Sequence, residues 1–233
     1  MQVQTPSRSG IFLELTLVLG LAALIYGIGY FRDNSALGLV SIAAAWAVIG
    51  ALLRRRHSGW EEYGLRRPSR WKRTLALTLL GVAFLHVLIR MLKPLIVKHI
   101  TGAALDISRF EALRGDPKAL FLGLLIVWTV AAFGEEMVFR GYVLNRTAAL
   151  IGFPVRSRWL WAVFLSSLVF GLGHIYQGWT GVILSGIAGM VYCGAYVLDG
   201  RCLWAPILIH GIYDTSAFLI LFFGADKGLF GSG

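Results

Sequence analysis

The stretch FGEEMVFRG, residues 133–141, ends one of the most apolar runs of the chain and yet carries three charged side chains. They are the adjacent carboxylates of Glu135 and Glu136 and the guanidinium of Arg140. A charged side chain at the centre of a membrane helix costs about 2.5–3.5 kcal/mol on insertion scales. These groups therefore need a partner, a water-filled cavity or a function.

The composition of the chain is that of a membrane protein. Of its 233 residues, 57% are apolar and only 15% are charged, and its mean hydropathy is +0.71. Several runs reach the roughly 20 apolar residues that cross a bilayer. The alternating segments of about 10 residues that build a membrane β-barrel are not visible. We predict an all-α, polytopic bundle of about seven transmembrane helices with an inward-facing polar site.

Turn residues divide the apolar sequence into helices. Gly178, the pair Asp199-Gly200, and Gly224 are typical of turns. No internal repeat or low-complexity linker interrupts the chain, so we expect one membrane domain over 1–233. The predicted helices cover about 11–30, 37–53, 74–95, 118–150, 158–177, 180–198 and 203–223.

Positive charge is concentrated in the segment 54–73. The net charge of the chain is +10, and this segment holds Arg54, Arg55, Arg56, Arg66, Arg67, Arg70, Lys72 and Arg73. Such a cluster between apolar runs indicates a basic cytoplasmic loop in contact with anionic membrane lipid. With seven crossings, 14 of the 22 lysines and arginines fall on this side, which predicts a cytoplasmic N-terminus. No nucleic-acid motif accompanies the cluster, so a nucleic-acid partner is not expected.

Ionisable side chains also occur in the later apolar segments. Glu136 and Arg140 are four residues apart and can neutralise each other on one helix face, whereas Glu135 has no local partner. A partner for Glu135 must come from another helix. Ionisable groups inside a bundle turn toward each other or toward water, so we expect a common site. The candidates are His174, His210 and Asp214, the last two again four residues apart.

Two kinds of chemistry fit these residue types. Glu135, His174 and His210 could hold a zinc ion with one position open for water. Alternatively, Glu135 could act without metal as the general base for water, with His210 and Asp214 stabilising the oxyanion of a tetrahedral intermediate. Both describe hydrolysis of an amide or ester bond inside the bilayer.

Three short motifs resemble a known family, the CAAX protease and bacteriocin-processing family, also called CPBP or Abi. GEEMVFRG at 134–141 resembles its EExxxR motif, and FGLGH at 170–174 resembles its FxxxH motif. PILIHGIYD at 206–214 resembles its HxxxN/D motif. Each motif alone is weak, but all three occur in family order in a polytopic chain. The resemblance covers a catalytic core at about 118–220.

The resemblance implies an activity and a role for each residue. The best understood family members are type II CAAX prenyl endopeptidases, which remove the last three residues of prenylated proteins. By this resemblance Glu135 activates the hydrolytic water with help from His174, and no metal is favoured. Asp214 departs from the eukaryotic pattern, which has Asn. The resemblance also implies that His210 and Asp214 line the side of the site that stabilises the oxyanion. Structural support would come from Glu136, Arg140 and Phe170.

We therefore expect a prokaryotic intramembrane endopeptidase in the inner (plasma) membrane. Its substrate would be a peptide or a lipid-modified protein, such as a prenylated tail, a bacteriocin leader or a sorting segment. A non-catalytic bacteriocin-immunity or scaffold protein of the same family is the main alternative, and a proton-coupled transporter is the second. The sequence leaves open the substrate, the cut site and the oligomeric state.

Overall fold

Seven long helices and no strand form in residues 7–152 and 154–225, the part of the chain that the computed structural model describes. This arrangement confirms the predicted all-α bundle. The helices are α1 (Arg8–Phe31), α2 (Ala36–Arg55), α3 (Trp71–Ile96), α4 (Pro117–Ile151), α5 (Val155–Leu172), α6 (Gly178–Leu198) and α7 (Trp204–Phe222).

Length and apolarity make these helices suited to a bilayer. Within the described residues, six helical segments are long and apolar enough to cross a membrane, and all of the long helices except α5 contribute one. The apolar part of α5, Ser157–Leu172, is shorter. Large apolar side chains such as Leu79, Leu122 and Leu160 remain 57–70% exposed on the protein surface, as expected where lipid replaces water. The protein is a multi-pass integral membrane protein.

Local sequence sets where the helices begin and end. The Ser7 hydroxyl accepts a hydrogen bond from the Gly10 N–H at the start of α1, and the Asp116 carboxylate accepts from two N–H groups at the start of α4. The predicted turns at Gly178, Gly200 and Gly224 form, and each of these glycines has a φ of 66–75°. Such positive φ angles suit glycine because it lacks a Cβ.

Hydrogen bonds between loops define the two ends of the bundle. At the end that we call the basic end, the Leu203 N–H donates to Gly64 O and the Arg66 guanidinium donates to Gly200 O. This end therefore carries the segment 54–73 and the α6–α7 turn. At the opposite end, the distal end, the Asp106 N–H donates to Gln177 O. The loop before α4 and the turn before α6 thus meet at the distal end.

Helix α5 is shorter than predicted. It ends at Leu172 and not at 177, and a tight turn over Ile175–Gln177 leads into α6. The flanking Gly173 and Gly178 weaken helix propagation here, because glycine is about 1 kcal/mol less favourable than alanine in a helix. His174 is consequently placed in a turn at the distal end and not inside a helix.

Helix α4 lies centrally and packs against α1, α2, α5 and α7. Its predicted extent is confirmed, but its middle is wound more widely than an α-helix. Over Val127–Glu135 and again over Met137–Val143, backbone hydrogen bonds run from residue i to i+5. Glu136 lies between these two wide segments. Such π-helical turns are rare and are often found at functional sites.

Candidate active site

Glu136 is the centre of a buried ion pair. The Arg140 Nη1 donates to Glu136 Oε1 over 2.9 Å, and both side chains are 0% exposed. The sequence spacing of four residues predicted this pair, and the structure contains it. Charge-assisted hydrogen bonds of this length are about twice as strong as neutral ones. The negative charge of Glu136 is therefore compensated within its own helix.

Arg140 is held by backbone and aromatic rings as well. Its Nη2 donates to Gly189 O on α6 over 3.1 Å. The guanidinium carbon lies 4.3 Å from the centre of the Phe170 ring and 5.0 Å from that of Tyr192. A guanidinium over a desolvated aromatic ring gains about 2 kcal/mol. Arg140 thus connects α4 to α5 and α6 at the depth of the site.

His210 joins α7 to the same carboxylate. Its Nδ1 donates to Glu136 Oε1 over 2.9 Å, and its Nε2 lies 3.3 Å from Asp214 Oδ2. A ring that carries two protons donates to both carboxylates. The Tyr192 ring stacks on His210 with 4.8 Å between ring centres and 15° between planes. His210 is therefore fixed in position and orientation by α4, α6 and its own helix.

His174 lies in the turn after α5, beside the ring of Phe170. Its Nδ1 is 2.9 Å from Phe170 O, and since a carbonyl only accepts, Nδ1 carries the proton. The other nitrogen, Nε2, then presents a lone pair. The His174 ring stacks on Tyr176, with ring centres 5.9 Å apart. His174 is thus oriented to accept a proton or a hydrogen bond.

Glu135 differs from its neighbour Glu136. Its Oε2 is shielded from solvent and has no hydrogen-bond partner among the described residues. Charge–charge interactions couple it to His210, Asp214, Glu136 and Arg140. Buried polar atoms are almost always hydrogen-bonded, and an unpartnered one calls for an explanation. Glu136 Oε2 and Arg140 Nε are also unpartnered, but both groups already have ionic partners.

The zinc hypothesis does not find a preformed ligand set here. In residues 7–152 and 154–225, no group of three or more His, Cys, Asp or Glu side chains is placed to hold a metal ion. Both nitrogens of His210 already face carboxylate oxygens. His210 would have to give up one of these contacts to join Glu135 and His174 around a metal.

A cleft lies at the distal end, and one of its lining residues is a neighbour of His174. It has a volume of about 640 Å³ and is lined by Tyr30, Phe31, Asp33, Asp106, Ser108, Arg109 and Tyr176. The Tyr176 ring contacts His174 on one side, and the Arg109 guanidinium lies 5.1 Å from its centre. Hydrogen bonds from Ser108 hold the pKa of the Asp106 carboxyl below its usual range. The cleft is therefore polar, and Tyr176 is the residue that it shares with the surroundings of His174.

The structure brings most of the predicted site residues into contact. Glu136, Arg140, His210 and Asp214 form one chain of polar contacts. The Phe170 ring contacts both the Arg140 guanidinium and the His174 ring, which agrees with a supporting role. The roles assigned to Glu135, His174, His210 and Asp214 stay predictions.

Sequence reasoning missed other contributors to the site. Tyr192 and Gly189 lie on α6, which carries no charged side chain to draw attention to it. Tyr192 stacks on His210, and the Gly189 carbonyl accepts from Arg140. Tyr176 follows His174 by two residues, which is the one local signal that could have identified it.

Comparison with protein families agrees with the motifs. Residues 117–216 match the family described as type II CAAX prenyl endopeptidase Rce1-like. No curated protein and no solved structure matches the chain significantly. The match covers 100 of the 233 residues, so this part of the chain is similar to that family, and the fold around it is that of a multi-pass membrane protein. The family resemblance drawn from the three motifs is confirmed over the matched residues, which include every site residue from Glu135 to Asp214.

Proposed function

We propose that the protein is an intramembrane endopeptidase that hydrolyses a peptide bond with a glutamate-activated water. The observation that carries this proposal is the contrast between two adjacent carboxylates. Glu136 receives hydrogen bonds from Arg140 and His210, whereas Glu135 Oε2 has no partner. A carboxylate with its charge compensated is a weak base. Glu135 is the carboxylate available to a water molecule.

The first chemical step is attack of water on the scissile carbonyl. Glu135 takes one proton from the water, and the oxygen forms a bond to the carbonyl carbon. His174 accepts a hydrogen bond from the same water through the Nε2 lone pair, since its Nδ1 donates to Phe170 O. Adjacent helical residues point about 100° apart, which leaves Glu135 free to bind water while Glu136 is held by Arg140 and His210.

The second step is collapse of the tetrahedral intermediate. The oxyanion replaces Asp214 as the acceptor of the His210 Nε2–H. The 3.3 Å contact of Nε2 with Asp214 is the longer one, since Nδ1 lies 2.9 Å from Glu136. Asp214 then acts as a positioning residue that keeps the proton on His210. The carbon–nitrogen bond breaks, and protonated Glu135 returns its proton to the leaving amine.

The proposed substrate is a membrane-associated protein, with a prenylated or otherwise lipid-modified tail as the first candidate. The apolar surface of the bundle keeps such a tail close to the site, and the distal cleft admits the polar peptide. We further propose a prokaryotic plasma membrane with the basic end in the cytoplasm, because segment 54–73 suits an anionic cytoplasmic leaflet. Nucleic acid is not proposed as a partner.

We propose that no metal takes part, with zinc on Glu135, His174 and His210 as the alternative. The test uses purified protein, a fluorogenic farnesylated peptide and the same peptide without the lipid. Wild type is compared with Glu135→Gln and with Glu61→Gln, a matched change at an exposed glutamate far from the site in sequence. Each protein is assayed with and without a strong chelator.

The outcomes separate the competing functions. Cleavage by wild type and Glu61→Gln, but not by Glu135→Gln, in the presence of chelator supports the metal-free protease. Loss of wild-type cleavage on chelation supports the zinc alternative. Cleavage by Glu135→Gln at the wild-type rate refutes Glu135 as the base. Absence of cleavage by wild type favours the immunity or scaffold function, unless vesicles show proton flux, which indicates a transporter.

A further inference from the structure

A second cleft lies at the basic end, away from the residues of the candidate active site. Its volume is about 390 Å³, and it is lined by Arg158, Trp159, Val197, Gly200 and Arg201. These residues belong to the first turns of α5, the last turn of α6 and the α6–α7 turn. The cleft is therefore at the level where helices leave the apolar layer.

The lining contains two arginines and no carboxylate. Among the residues that the structure describes, neither Arg158 nor Arg201 has an acidic partner within 4.0 Å. The Nε of Arg158 is buried and has no hydrogen-bond partner. The neighbouring Asp199 faces away, because both of its oxygens accept from the Thr74 hydroxyl on α3. The cleft therefore has an uncompensated positive charge and an unused buried donor.

The residues that line the cleft indicate which ligand would neutralise this positive charge. Arg201 has a φ of 63° and lies with its guanidinium carbon 6.0 Å from the centre of the Trp159 ring. Tryptophan is enriched at the boundary between lipid headgroups and acyl chains. Arginine nitrogens arranged as a fork match phosphate oxygens, which accept two hydrogen bonds at once. A phosphate group fits the cleft in charge and in chemistry.

Apolar side chains continue from the cleft along the surface of α5. Arg158, Trp161 and Leu165 follow at positions i, i+3 and i+7, which share one helix face. Trp161 is 51% exposed and Leu165 39%, and Leu168 continues the exposed surface at 44%. An anionic headgroup in the cleft would thus have its acyl chains beside these side chains. A soluble phosphate compound would leave this apolar surface unused.

We propose that this cleft binds the phosphate of an anionic phospholipid. The binding site is built by Arg158 and Arg201 around Trp159, and the exposed face of α5 receives the acyl chains. Each arginine near a membrane surface favours an anionic lipid by about fivefold. This site is independent of the proposed protease activity, since its residues do not belong to the candidate active site.

Native mass spectrometry of the purified protein in detergent tests this proposal. The protein is incubated with equal amounts of phosphatidylglycerol and phosphatidylcholine, and the retained lipids are counted. Wild type is expected to retain phosphatidylglycerol at least about fivefold over phosphatidylcholine. Double substitution R158Q/R201Q should bring the two lipids to about equal retention. The control R32Q/K98Q removes two charges from exposed positions outside segment 54–73 and away from the cleft, and should behave as wild type.

Three results would overturn the proposal. One is equal retention of both lipids by wild type. This measurement uses no variant, so a folding defect in a variant cannot affect it. Another is undiminished preference in R158Q/R201Q, or an equal loss of preference in R32Q/K98Q. The third is displacement of the bound lipid by millimolar glycerol phosphate, which would make the ligand a soluble phosphate compound.

Discussion

Glu136 and Arg140 form the structural centre of the site. One oxygen of Glu136 accepts from both Arg140 and His210, and neither Glu136 nor Arg140 is exposed. Removal of one partner from a buried ion pair leaves an uncompensated charge and costs about 3–5 kcal/mol. Glu135 Oε2, by contrast, has no hydrogen-bond partner among the described residues, so its substitution breaks no such pair. The two adjacent glutamates should therefore respond differently to the same substitution.

Glu135→Gln and Glu136→Gln separate catalysis from stability. Glu135→Gln should lower peptide hydrolysis about 100–10,000-fold, the range that general bases contribute, and leave the Tm within a few degrees of wild type. Glu136→Gln should lower the Tm clearly, because Arg140 stays charged and buried. Activity assays and thermal unfolding in one detergent measure both effects. A drop in Tm for Glu135→Gln as large as that for Glu136→Gln would contradict this division of roles.

Arg140→Lys should damage the site although charge is kept. A lysine has no planar fork and cannot donate to Glu136 and Gly189 O in the same geometry while lying over the Phe170 ring. We expect a loss of stability of about 3 kcal/mol, measured as a lower midpoint of unfolding. Arg90→Lys, at an exposed position on α3, is the control and should leave the midpoint unchanged. Equal midpoints for both variants would contradict the prediction.

Asp214 can be tested as a positioning residue. Asp214→Leu removes the acceptor that faces His210 Nε2 and should lower kcat about 10–100-fold with little change in KM. Asp214→Asn keeps an acceptor oxygen and should lose less. Asp116→Asn, which preserves the cap of α4, serves as the control. A change in KM alone would indicate that Asp214 contacts substrate and does not position His210.

At the level of helices, the hydropathy of the sequence was sufficient to predict the extents of most helices. The extents of α1 to α4, α6 and α7 follow from apolar runs bounded by charged or turn residues, and the structure agrees with them within a few residues. The end of α5 was predicted too late, since the apolar run continues to Tyr176 while Gly173 favours a turn. The wide turns of α4 carry no signal in hydropathy, because i→i+5 bonding depends on tertiary contacts.

The sequence identified which residues belong to the candidate site better than it identified the contacts between them. Spacing of four residues was enough to pair Glu136 with Arg140 and His210 with Asp214. It could not show which of the two adjacent glutamates faces α7, because this depends on how α4 is wound. The bond between His210 and Glu136 is therefore a result of the structure alone. The distal cleft was also missed, since its lining comes from three separate parts of the chain.

Close contact between α5 and α6 depends on small residues. A Cβ built on Gly171 would lie 2.5 Å from Val182 O and 3.1 Å from the Cα of Gly186. Both are backbone atoms, so the helices would have to separate, and overpacking of this kind costs about 1–3 kcal/mol. Gly171→Ala should therefore lower the Tm and displace Phe170 from Arg140. Gly194→Ala is the control, because no atom lies within 4 Å of its added Cβ. Equal Tm values for both variants would rule out this account.

At the level of the whole molecule, the distal cleft and segment 54–73 lie at opposite ends of the bundle. We predict that Ser108→Cys and Ser69→Cys react with a charged, membrane-impermeant thiol reagent from opposite sides of sealed vesicles. Both positions are exposed, and the native Cys193 and Cys202 are buried. Reaction of Ser69→Cys from the cytoplasmic side would agree with the proposed orientation. Reaction of both variants from one side would refute the predicted arrangement of the ends.

The shared oxygen of Glu136 also has a consequence for biosynthesis. Glu136 and Arg140 are on α4, whereas His210 and Asp214 are on α7, which the ribosome makes later. Until α7 is inserted, Glu135 lacks the histidine and aspartate that complete its surroundings. The polar cluster around Glu135 and Glu136 is therefore incomplete in a growing chain. Insertion of α7 is the step that completes it.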